Sequence, residues 1–167
     1  MKKSRRAKGS RDFRSHVQAL LPEVAARFLA HAPAVVGHPS RVTALHAMRL
    51  DGKPLRYLLE FSAPMFGGSL DGDLEEVKRL VTILGRIHDC DVHLPRIRRH
   101  MTVVRQYNRL VQSRSQRIPI DTLQNYLRSE RALRKTLFHE ACGILLRWKA
   151  ELFEDRLRRH LRYPAFE

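Results

Sequence analysis

Residues 40–66 read SRVTALHAMRLDGKPLRYLLEFSAPMF, and the fold follows from how this stretch sorts its side chains. Leu45, Met48, Leu55, Leu58, Leu59 and Phe66 recur at spacings of three, four and seven. His46, Arg49, Lys53, Arg56 and Glu60 recur at three and four on another side. A helix repeats every 3.6 residues, so each set makes one stripe. The apolar stripe needs a core. The polar one aligns His46, Arg49, Lys53 and Arg56 within about 15 Å, at about 1.5 Å of rise per residue. Such a row suits a polyanion, or a row of carboxylates from a neighbouring element. Pro54 removes a ladder hydrogen bond and crowds the carbonyl four residues back, at Leu50. A kink or break is therefore expected at residues 50–53, with the helix resuming in the same direction because both stripes keep their phase.

Working outward, residues 12–31 carry a second apolar stripe through Val17, Leu20, Leu21, Val24, Ala25, Phe28 and Leu29. Pro22 is tolerable there if the regular helix begins near Leu21. Residues 31–40, rich in Pro and Gly, read as a connection, with Ser40 as the N-cap of the central helix. After Gly67 and Gly68, Asp71 or Asp73 can cap a further helix whose core face runs from Leu74 to Leu94. Pro95 either interrupts that helix or opens a new one, continuing to about Gln112. Residues 113–119 read as a loop. Asp121 can cap a last element reaching about Leu161, as one long helix or as two broken near Gly143. Trp148, the single tryptophan, is expected in the core. No segment alternates as a strand does. The expected fold is all-α: an antiparallel bundle of four to five long helices, residues 12–167, behind a basic flexible tail, residues 1–11.

Charge narrows the partners. Against 17 acidic residues stand 32 Lys and Arg, a formal net charge of +15, which calls for an acidic partner: nucleic acid, an anionic surface or a soluble polyanion. Residues 92–120 hold seven arginines and no acid. Cys90 and Cys142 lie far apart in helical patterns, which fits a reducing compartment and a cytoplasmic location better than a disulfide framework. No apolar run approaches the roughly 18 residues of a membrane span, and no secretory signal is evident. No nucleophile–base pair, phosphate-binding glycine loop or zinc motif is present, so no catalytic residue, cofactor or metal site is expected. His46, His88, Asp89, Asp91 and His93 could suggest a metal, but they do not share one face, and the arginines around them oppose a cation.

Two motifs carry a resemblance. The first is His46-Ala-Met-Arg49-Leu-Asp-Gly52-Lys53-Pro-Leu-Arg56-Tyr57-Leu-Leu-Glu60-Phe61, and the second Leu84-Gly85-Arg-Ile-His88-Asp89-Cys-Asp91-Val92. The first resembles the signature of the CHAD (conserved histidine α-helical domain) family, in which a His is followed by Arg, Lys and Arg-Tyr at these offsets. The second resembles that family's Leu-Gly-x-x-His-Asp-x-Asp-Val. Together, in order and spacing, they are fairly specific, and the likeness extends over residues 20–162.

The resemblance implies helical architecture and noncatalytic binding of inorganic polyphosphate. Carried over, it assigns phosphate contacts to His46, Arg49, Lys53 and Arg56, with Tyr57 and His88 in support. Lys78, Arg86 and Arg96, on a second stripe along the following helix, would line the other wall. Asp89 or Asp91 would orient an arginine of the 46–56 stripe rather than touch an anion of like charge. Many family members pair two similar halves across a basic cavity. This chain shows one copy of each motif, resembling a C-terminal half, so a homodimer that rebuilds the missing half is expected. A solvated helix face with internal pairs such as Arg56–Glu60 is the plain alternative for the stripe. A nucleic-acid-binding protein is the alternative for the whole chain, though few aromatics accompany the basic stripes. A third reading is a regulatory or scaffold subunit of a polyphosphate or triphosphate enzyme.

Overall fold

The central stripe forms helix α3, Val42–Ser62, and its apolar side is buried as expected: Leu45, Met48, Leu55 and Leu59 are each 3% exposed or less. In the computed structural model, the backbone of residues 2–162 and the side chains of residues 13–162 are described. Before α3 come α1, Lys2–Leu29, and a single short helix α2, Ala32–Val35. After it come α4, Asp71–Leu110, α5, Asp121–Ala150, and α6, Phe153–Arg162. Short 3-10 turns at Ala63–Phe66 and Arg114–Gln116 lie in the α3–α4 and α4–α5 connections. No strand occurs among the described residues. The protein is an all-α antiparallel helical bundle.

Helix α3 lies between α1 and α4, α4 between α3 and α5, and α6 returns to α1. The antiparallel sense shows in the contacts. Phe13 meets Phe61 edge-on at 5.5 Å, while Phe28, fifteen residues on, abuts Gly52. Gly52 is buried where three helices meet. A Cβ there would sit 2.9 Å from both Phe28 and Val81, so only glycine admits this approach.

Several boundaries differ from expectation. Helix α3 is unbroken through Pro54; proline and the carbonyl-bearing Leu50 are both exposed, so water can satisfy what the ladder loses. Its N-cap position is Arg41, not Ser40, and no side chain caps it. Pro22 lies well inside α1, which includes the backbone of the basic segment expected as a flexible tail. Lys, Arg and Ala are good helix formers, consistent with that continuation. Helix α4 runs without a break through exposed Pro95, and its 40 residues make it about 60 Å long. Leu70 and Ile120 hold the N-cap positions of α4 and α5, so Asp71, Asp73 and Asp121 sit in first turns, where their charge favours the helix dipole. The last element breaks at Leu152, with φ 52°, rather than at Gly143. Buried Ile144, Leu145 and Trp148 hold the helix in place past that glycine.

Helices α4 and α5 outrun the rest of the bundle. Beyond the main core they keep a small one of their own: Cys90, Leu94, Met101 and Leu127. The result is a two-helix arm with one layer of apolar contact and wide solvated sides.

Candidate functional site

The polar stripe of α3 lies along α4. His46 and His88 bring their Nδ1 atoms to 3.2 Å, with ring centroids 4.7 Å apart. Two facing ring nitrogens can share one hydrogen only, so one ring donates and the other accepts, and each keeps Nε2 for another partner. One turn along, Arg49 reaches across to α4: its Nε would lie 3.9 Å from a Cβ at Gly85. Any side chain larger than alanine at position 85 would contest that space. The Leu-Gly-x-x-His motif therefore supplies a gap for an arginine and, three residues later, a partner for a histidine.

The pairs His46–His88, Arg49–Gly85 and Gly52–Val81 define one antiparallel register. Continued by a turn, it brings Arg56 level with Lys78. These two cations are partly engaged already. Arg56 Nε donates to Glu60 at 2.9 Å, the internal pair anticipated in the sequence, and its guanidinium stands 6.0 Å from the ring of exposed Tyr57. Lys78 Nζ donates to Glu75 at 2.8 Å. Arg49 and Lys53 are half-buried, and neither has a carboxylate partner among the described residues. A polar strip therefore runs along the α3–α4 contact, with the histidine pair at one end, two cations without a carboxylate partner among the described residues in its middle, and two carboxylate-held cations at the other end.

Two predicted wall residues fall outside it. Arg86 is one residue, about 100° of helix, past Gly85, on the exposed face turned away from α3. In the same register Arg96 is level with residue 38, before α3 begins, so nothing on α3 faces it. The expected role of the aspartates is also corrected. They lie about 200° apart on α4. Asp89 is exposed, and Asp91 points away from the groove to α5, where Arg134 forks it with Nε and Nη2 while donating to the Pro39 carbonyl. Neither aspartate is paired with an arginine of the 46–56 stripe. Arg134 was not singled out in the sequence, because its partner is 43 residues away and no local pattern joins them.

Other acids of α3 and α4 are engaged elsewhere. Asp73, buried to 2% exposure, accepts from Arg156 Nε at 3.0 Å and lies 2.6 Å from His160 Nδ1. Glu76 accepts from Arg156, from the Trp148 indole at 2.8 Å and from Arg147. Burial would raise the Glu76 pKa, but the Arg156 hydrogen bond and charge, helped by Trp148 and Arg147, outweigh it and hold the carboxyl below its ordinary value. Arg156 is thus a structural hub. Asp51 is held by His31 and Arg27.

Residues 2–98 match the family model of the CHAD domain. That span takes in α1 to α3 and the part of α4 bearing the second motif, more than half of the 167 residues. The chain belongs to the CHAD family. No curated protein and no solved structure matches it. CHAD domains are associated with polyphosphate binding, and both CHAD motifs of this chain meet at the His46–His88 contact between α3 and α4. The match starts before and stops well short of the residues 20–162 over which the sequence resemblance extends, leaving α5 and α6 outside it. No described helix is long and apolar enough to cross a membrane.

Proposed function

We propose that this CHAD protein binds inorganic polyphosphate, without chemical turnover, in the α3–α4 groove. The observation that carries the reading is the pair Arg49 and Lys53: side by side, half-buried, beside the His46–His88 contact and without a carboxylate of their own. A phosphate chain supplies about one negative charge per unit, spaced to follow such a row. The Arg49 guanidinium grips phosphate oxygens as a fork, and Lys53 acts as a point charge. Of the His46–His88 pair, the ring that accepts at Nδ1 carries its hydrogen on Nε2 and donates from there at one end. Arg56 and Lys78 join by exchanging Glu60 and Glu75 for phosphate, which makes them weaker contributors.

A two-fold dimer that sets one α3–α4 groove against another is part of the same proposal. Light scattering that finds a monomer with and without polyphosphate removes the dimer and leaves the groove intact. The groove is tested by titrating polyphosphates of defined length against the R49A/K53A variant. Affinity falls by at least a factor of ten per contact, taking roughly 1.5–3 kcal/mol for each charge-assisted hydrogen bond. Unchanged affinity with unchanged helicity sinks the assignment. Competition with DNA or RNA at matched phosphate concentration and about 150 mM salt separates polyphosphate from nucleic acid, since both lose counterions in the same way.

A further inference from the structure

A second cationic cleft lies between α4 and α5, partly outside the residues that match the family. It is bounded by residues 36–42, α4 and α5, and encloses about 1070 Å³. A smaller trough of about 420 Å³ continues it along the arm, and the two share Arg98 and Arg131. The lining is divided by chemistry. Val36, Val42 and Leu146 contribute apolar surface to the cleft, over the buried Leu94 and Phe138. The trough is polar, with Arg105 and Arg128 joining the two shared arginines. Arg98, Arg105 and Arg131 are exposed and have no carboxylate partner among the described residues. The one acid in the cleft wall, Asp91, is neutralised by Arg134.

Bare polyphosphate would gain the arginines but leave the apolar wall dry and unfilled. A ligand with an apolar group joined to phosphates satisfies both halves. We propose that the α4–α5 cleft binds an organic phosphate, its apolar part against Val42 and Leu146 and its phosphates forked by Arg98 and Arg131. The shared chemistry admits two sources, nucleoside phosphates and alkyl phosphates. This site is tested separately from the polyphosphate reading, because the cations assigned to it, Arg98 and Arg131, are none of those assigned to the α3–α4 site.

Calorimetric titration of the full chain in an R49A/K53A background, at fixed ionic strength, tests it with four probes: adenosine triphosphate, decyl phosphate, adenosine and tripolyphosphate. Either organic phosphate binds at least tenfold more tightly than both adenosine and tripolyphosphate, and the better of the two names the source. Adding R98A/R131A weakens it at least tenfold. Adding V42S/L146S instead brings it down toward tripolyphosphate. The inference is overturned if neither organic phosphate binds, if tripolyphosphate binds as well, or if R98A/R131A changes nothing while helicity is retained. Long-chain polyphosphate binding by the background variant is read separately: its retention sinks the α3–α4 assignment and leaves this one standing.

Discussion

Two charged regions share α4 and have opposite fates. At its N-terminal end, Asp73 and Glu76 meet Arg156, Arg147 and His160 in a closed network, and every charge there has an opposite beside it. Two to three turns on, along the α3 side, Arg49 lies beside Gly85, and neither it nor Lys53 has a carboxylate partner among the described residues. The residue types are the same. What differs is partner supply and burial. Asp73 is buried, so it must be paired to be tolerated at all. Arg49 and Lys53 keep enough water to remain unpaired, which leaves them available to an anion. One region stabilises the bundle; the other is held ready by it.

The largest expected effect separates these roles. R156A strips a buried aspartate of its guanidinium and costs about 3–5 kcal/mol of stability, the usual penalty for breaking a buried pair. In thermal or urea unfolding, R49A/K53A moves stability by no more than about 0.5 kcal/mol, as for surface substitutions, while polyphosphate affinity collapses. Equal stability losses in the two variants would erase the distinction.

A second contrast lies in the glycines. G52A forces a methyl into Phe28 and Val81 at 2.9 Å and is expected to cost about 1–3 kcal/mol. At Gly85 a methyl makes an ordinary 3.9 Å contact with Arg49, so G85A gains up to about 1 kcal/mol of helix propensity without loss of binding. G85L, by contrast, displaces Arg49 and weakens polyphosphate binding at unchanged fold. Urea melts and titrations of the three variants check both halves.

Acid resolves the network more finely. The folded pKa of Glu76 lies below its ordinary value of 4.5, so its contribution is present above that value and is lost as pH falls through the lower folded pKa. E76Q removes this dependence, and its acid-unfolding curve should be flatter than the parent's below pH 4.5. A parallel pair of curves would show that Glu76 is not held by Arg156.

The smallest effect concerns the arm's own core. Burial, then Glu130 and Asp91, push the Cys90 thiol up to about 11, so its thiolate is scarce at neutral pH. Alkylation at pH 8 should label half-buried Cys142 well before Cys90, read by mass spectrometry of the digested protein. Equal rates would mean that the α4–α5 arm opens freely.

Much of this was legible in the chain. The 3.6-residue stripes identified α3 and its two faces, and Trp148 is in the core, stacked on Phe153 at 4.1 Å. The two motifs led to His46, Arg49, Lys53 and His88. Helix ends were less legible. Pro22, Pro54 and Pro95 looked like boundaries, yet tertiary burial of the flanking apolar residues carries each helix through. The role of Asp91 was misread and that of Arg156 was not visible, because their partners lie 43 and 80 or more residues away, and no local periodicity encodes such a distance.

Sequence alone determined the helical class, the excess of positive charge and the face on which the central cations lie, because helical phase is a local property of spacing. Only the tertiary structure decided which of those cations are free. Neutralisation depends on which acids the packing of α4, α5 and α6 brings within 3 to 4 Å of a guanidinium, and that is a property of the assembled bundle. The chain encodes 17 acids against 32 cations; the fold engages several of those acids away from the groove and leaves Arg49 and Lys53 without one.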